Sequence, residues 1–174
     1  MENLDKCLIC PNHSNSVEPT WIYVKSENVS IMAKAELFKT KFWAKIFTYF
    51  DVFPINRGEH DIRSLIHAIN LFKNVEKRKL LVFPEGKRLS KKEASAQAKV
   101  GPVYIASKVK VPIVPVYITK NAKLFSKVVI IFGKPITVPE DIVKDKEKLQ
   151  NFANKIMDDI YDMGDNYYKK EKIK

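Results

Sequence analysis

His13 and Glu18 are the first two side chains along this sequence whose types and spacing could do chemistry together. The imidazole stands in a polar loop, Asn12 to Ser16, directly after an apolar run, and the acid follows five positions later beside Pro19, a residue suited to a first helical position. A helix starting there folds back over the loop and can bring its carboxylate to one ring nitrogen. That hydrogen bond would fix the tautomer, stabilise the imidazolium and leave the other nitrogen to take a proton from a hydroxyl, as a general-base dyad does. An ordinary exposed loop can also carry a His followed by a Glu, so the pair by itself decides nothing.

A second group lies at Phe83 to Arg88, where a buried-type run ends in Phe-Pro-Glu-Gly-Lys-Arg. Backbone amides around Gly86, with Lys87 and Arg88, are suited to a phosphate; a plain polar turn between strand and helix has the same composition. Ile55 to Gly58 is a shorter element of similar character, and its Arg57 is one of four arginines in a chain with 27 lysines, which points to bidentate contact at that position. Charge follows the second group. Between Lys73 and Lys127 stand 14 Lys or Arg against Glu76, Glu85 and Glu93, so this segment holds the whole net charge of +11. An anionic partner accounts for such concentration, and so does a solvated lysine-rich face.

The elements that must position these residues alternate. Lys6 to Pro11 reads as a strand, Pro19 to about Lys25 as a helix, and Val29 to Ala33 as a second strand. Ala35 to Phe50 has helical spacing, Val52 to Ile55 is extended, and Asp61 to Val75 is amphipathic, with Ile62, Leu65, Ile66, Ile69, Phe72 and Val75 on one face. Leu80 to Phe83 follows as a buried strand, then a basic loop, a helix over Gln97 to Lys108, strands at Ile113 to Thr119 and Val128 to Phe132, and a helix over Lys146 to Tyr161. Interleaving of this kind predicts an α/β fold: one layered domain with a mixed, largely parallel sheet flanked by helices. If the strands ending at Pro11 and Phe83 are parallel in one sheet, the loops carrying His13 and Glu85 share its carboxyl edge, where such folds place their sites.

With 174 residues, 45% of them hydrophobic and 11% aromatic, the chain suffices for one domain with a real core, which excludes wholesale disorder. Its apolar runs fall far short of the ~20 residues that span a bilayer, and two cysteines are too few for a disulfide scaffold. The expected setting is cytoplasmic.

Together the pieces resemble the glycerolipid acyltransferase family typified by lysophosphatidic acid acyltransferase, from about Cys7 to Ile136. The family's first motif, Asn-His then four residues and an acid, is similar to Asn12 to Glu18; its second, ending in Asp or Asn then Arg, to Phe53 to Arg57. Its third, Phe-Pro-Glu-Gly-Thr-Arg, is similar to Phe83 to Arg88, and its fourth, Val-Pro-Ile-Val-Pro-Val, is matched in full by Val111 to Val116. The resemblance implies a glycerol-3-phosphate acyltransferase-like fold over residues 1–174, lacking the amphipathic segment that members carry upstream. It implies His13 as base, Glu18 as its orienting acid, and Arg57, Glu85, Gly86, Lys87 and Arg88 as the residues shaping the site for the acceptor's phosphate. The reaction implied moves a fatty acyl group from acyl-CoA or acyl carrier protein to a lysophospholipid or glycerol phosphate, in phospholipid biosynthesis. The thioester is a co-substrate, and neither cofactor nor metal is required. Glu18 stands where the family has Asp, Lys87 where it has Thr, Leu89 where Ser commonly follows, and Asp51 where Gly is frequent. The longer acid raises a second expectation, a phospholipid-binding relative with weak or no turnover.

An anionic membrane surface is a further expected partner. Phe42, Trp43, Phe47, Tyr49 and Phe50 alternate with lysines along Ala35 to Phe50, which suits an interface, although core packing would use the same aromatics. Cys7, Cys10 and His13 invite a zinc reading, but positions three apart on a strand face opposite sides of the sheet. His60 and His67 receive no role. Without a zinc-finger pattern or the aromatic-basic strands of an RNA-binding sheet, nucleic acid is not an expected partner.

Overall fold

The computed structural model of the chain describes residues 4–15, 17–56, 61–119 and 128–172. Its strands are β1 (Lys6–Pro11), β2 (Val29–Lys34), β3 (Val52–Ile55), β4 (Arg78–Leu81), β5 (Ile113–Ile118) and β6 (Ile130–Phe132). Its α-helices are α1 (Glu18–Val24), α2 (Lys41–Tyr49), α3 (Ile62–Asn70), α4 (Lys91–Ala96), α5 (Gly101–Val109) and α6 (Lys146–Lys172), with 3-10 turns at Ala35–Phe38 and Ile142–Lys144. The strands form one sheet in the order β3-β2-β4-β1-β5-β6, parallel except for the antiparallel β5–β6 pair. The α/β fold expected from the alternation is the one observed.

Alternate side chains of the central strands build two cores. Leu8, Cys10, Leu80 and Val82 pack with α3, α4, α5 and α6 on one face, while Cys7, Ile9, Leu81 and Phe83 pack with Ile22 of α1 on the other. Burial on both faces is why these strands read as continuous apolar runs. Cys7 and Cys10 lie in different cores, buried and free. Burial pushes the Cys7 thiol up to about 11 and raises that of Cys10 as well, which makes them inert packing groups rather than a metal pair.

Boundaries moved for identifiable reasons. The helical pattern from Ala35 is broken at Lys39-Thr40, where the Thr40 hydroxyl accepts the Trp43 N–H at 3.4 Å and starts α2 anew. The amphipathic helix stops at Asn70 rather than Val75, ahead of Asn74 in a left-handed conformation. A whole helix, α4, stands in the expected basic loop: Ser90 and Glu93 form a capping box, a Ser-x-x-Glu signal present in the sequence. Pro102 then opens α5 separately, and α6 continues past Tyr161 to Lys172. Asp51 also finds its reason. In a left-handed conformation, φ +55°, it accepts Ser30 Oγ and Arg78 Nη1, each at 2.5 Å, and ties β2, β3 and β4 together at the edge opposite the site.

Candidate active site

β1 and β4 are adjacent and parallel, so the loops after them leave the same carboxyl edge. Asn12 ends β1 with a side-chain clamp on the main chain of β5, donating Nδ2–H to the Ile118 carbonyl at 2.9 Å and accepting the Ile118 N–H at 2.7 Å. The chain must then turn away from the sheet, which sets His13 at the edge. Its Nδ1 lies 2.8 Å from Glu18 Oε2. Glu18 is fully buried in the first turn of α1 and also accepts the Ser14 N–H at 2.9 Å and the Ser14 hydroxyl at 2.5 Å. A carboxylate gripped by that many donors is fixed in place, and it holds the imidazole by Nδ1, with Nε2 as the open nitrogen. The extra methylene of Glu18 therefore does not open the dyad. The Phe83 ring packs on the imidazole with 4.3 Å between centroids.

Glu85 joins this loop to the turn after β4. It is 1% exposed, accepts the His13 main-chain N–H at 3.0 Å and the Tyr161 hydroxyl at 2.7 Å on Oε1, and accepts the Leu89 N–H at 3.2 Å on Oε2. Glu85 is thus placed as an internal brace, with its oxygens turned to protein donors rather than to a ligand. Gly86 has φ +67°, and a Cβ there would stand 3.1 Å from Lys99 Cγ, so the turn and the lysine resting on it both favour glycine. Lys87 and Arg88 are exposed at the tip of this turn. Arg57 lies outside the described residues. The end of β3 nevertheless reaches the same place, because Asn56 and Gly86 line one cavity.

That cavity, about 510 Å³, runs between α3 and α5 and is walled mainly by Met32, Ile55, Leu65, Val82, Phe83 and Ile105. Phe83 belongs both to the wall and to the His13 stack. Lys99 lines the mouth next to Gly86.

Three supporting residues escaped sequence reasoning. Asn12 had a signal in its own motif but no visible partner. Tyr161 sits 76 positions from Glu85 in a helix whose pattern shows only packing, and burial together with the Glu85 bond raises its phenol far enough to keep it a donor. Lys99 was one lysine among many in the basic segment.

Residues 1–119 match the family described as acyltransferase. A 1-acyl-sn-glycerol-3-phosphate acyltransferase of Streptococcus pneumoniae (strain ATCC BAA-255 / R6) is 30% identical over 137 residues, 76% of this chain and 50% of that protein. The chain thus spans about half the length of the curated relative it matches. The fold is that of the crystal structure of the 1-acyl-sn-glycerophosphate (LPA) acyltransferase PlsC from Thermotoga maritima, with a TM-score of 0.64 at 21% identity, covering 91% of this chain and 66% of that one. The dyad, the braced turn and the cavity are therefore found on a chain that belongs to the acyltransferase family.

Proposed function

We propose that this chain transfers a fatty acyl group from an acyl thioester to the free hydroxyl of a 1-acylglycerol-3-phosphate, with His13 as general base. The observation that carries the reading is the 2.8 Å contact between His13 Nδ1 and the buried Glu18 carboxylate, which leaves Nε2 as the proton acceptor. Nε2 takes the hydroxyl proton while that oxygen attacks the thioester carbonyl. The tetrahedral intermediate collapses with cleavage of the C–S bond, and the imidazolium returns its proton to the departing thiolate. Glu18 stabilises the imidazolium between these two events. The apolar cavity walled in part by Phe83 takes the acyl chain. The acceptor's phosphate is taken by Arg57 together with Lys99 at that cavity and the exposed Lys87 and Arg88 of the adjoining turn. Glu85 and Gly86 hold the turn that presents them. Acyl-CoA and acyl carrier protein both suit a basic surface as donor carriers. The protein works in phospholipid biosynthesis at the cytoplasmic face, where its two free thiols remain reduced.

The test is thiol release from acyl-CoA or acylated carrier protein with lysophosphatidic acid, with the lipid product identified by mass spectrometry. Release that disappears in His13→Ala supports the reading. Lysolipid binding without release in the wild type would replace it with a non-catalytic lipid-binding role.

A further inference from the structure

α2 contributes no side chain to either hydrophobic core, alone among the α-helices of the described residues. It nevertheless carries Phe42, Trp43, Ile46, Phe47 and Tyr49. Their rings pack on one another at the surface, with Trp43–Phe47 centroids 5.8 Å apart and Phe38–Phe47 centroids 5.3 Å apart. Phe42 is 67% and Trp43 50% exposed. A soluble face has no reason to present such residues to water. The cations interspersed with them in the chain, Lys39, Lys41 and Lys45, are exposed too, and Lys34 pairs at 2.9 Å with Glu36, the only acid between Asn28 and Phe50.

A second apolar spot stands at the start of α3. Ile62 and Ile66, 63% and 52% exposed, stand one turn apart on α3 with Arg63 between them. Lys34 at the end of β2 is the register partner of Ile55 at the end of β3, so the turn leading to α2 and the chain leading to α3 leave one corner of the carboxyl edge. Asp61 fastens the start of α3 there by accepting the Asn56 N–H at 2.8 Å. The cavity wall includes Ile55, Asn56, Asp61 and Ile62, so it reaches the surface at this corner. β4 alone separates β2 from β1 in the sheet, which puts the corner roughly 10 Å from the strand end that carries His13.

We propose that α2 and the start of α3 form a docking surface for an anionic lipid bilayer, which sets the Ile62 end of the cavity against the acyl region. The aromatic side chains enter the interface while the lysines extend to lipid phosphates. The net positive charge of the face selects this occupant over a second copy of the chain, since two such faces repel each other. The purpose of docking rests on the acyl-transfer reading, but docking itself does not.

Vesicle sedimentation tests it, with phosphatidylcholine alone and with added phosphatidylglycerol. The wild type should bind the anionic vesicles, more weakly as salt rises. Phe42→Ser with Trp43→Ser should lower partitioning by at least about tenfold and leave far-UV circular dichroism unchanged, because neither side chain belongs to a core. In a Trp21→Phe background, Trp43 emission should shift to the blue on anionic vesicles. Equal binding by wild type and double variant, or no binding by the wild type, overturns the proposal. So does a lipid-free dimer that depends on Phe42 and Trp43. Vesicle binding involves no turnover, so docking without thiol release sinks only the acyl-transfer reading, and thiol release on monomeric short-chain lysolipid without docking sinks only this one.

Discussion

Replacing Glu18 by the family's own residue should impair this protein rather than improve it. Glu18→Asp withdraws the carboxylate by one C–C bond, about 1.5 Å, from a loop built around the longer side chain. The His13 contact at 2.8 Å and the Ser14 contacts at 2.9 and 2.5 Å would all open beyond hydrogen-bond range unless the backbone follows. The Glu18 carboxylate itself is fully buried, so the lost contacts are not replaced freely by water. Each hydrogen bond to a charged group contributes roughly 1.5–3 kcal/mol, and the missing methylene adds a cavity term of about 1 kcal/mol. Partial relaxation of the short loop between Ser14 and Val17 reduces this sum, which leaves an expected destabilisation of about 2–3 kcal/mol. Activity should fall further in proportion, since a misplacement of about 1 Å near the chemistry costs roughly a hundredfold. Urea denaturation and thiol release with lysophosphatidic acid measure the two effects. An aspartate variant with unchanged stability and equal or higher turnover would refute the claim that the loop is shaped to glutamate.

Tyr161→Phe removes the hydroxyl donated to Glu85 at 2.7 Å; kcat should fall about tenfold with KM little changed, because His13 loses support for its main chain and the substrate loses no contact. A parallel rise in KM would argue against that role. Gly164→Ala should destabilise the protein by about 1–2 kcal/mol, although alanine normally favours a helix by ~1 kcal/mol. A Cβ there would fall 2.4 Å from the Tyr117 ring, so a stabilised variant in urea would contradict the packing of α6 on β5. Asp61 has its carboxyl held below the usual value of 3.8 by the Asn56 N–H first and then by Ser64. Its contribution is complete above that value and is lost as pH falls through the lower folded-state value. Asp61→Asn keeps a helix cap but not the charge, so its stability should decline less than that of the wild type when urea midpoints are followed into acid; parallel curves would show that Asp61 is not the titrating group.

Local pattern made much of this legible. β1 was readable to the residue because its apolar run ends in a polar loop at Asn12, whereas the five-position spacing of His13 and Glu18 allowed their contact without requiring it, since an ordinary loop carries the same pair. The opposite facing of Cys7 and Cys10 followed from strand periodicity alone. The capping box at Ser90 and Glu93 is equally local, a Ser-x-x-Glu pattern within one turn of chain. Tertiary structure decided the rest, because strand order brings together residues that no periodic pattern relates. Asn12 meets Ile118 across 106 positions, Glu85 meets His13 across 72, and Tyr161 reaches Glu85 from the last helix. The amphipathic spacing of α2 says that it has an apolar face. Only the packing of the other helices reveals that neither core has room for that face, because a helix pattern carries no information about which surfaces of the sheet its neighbours already cover.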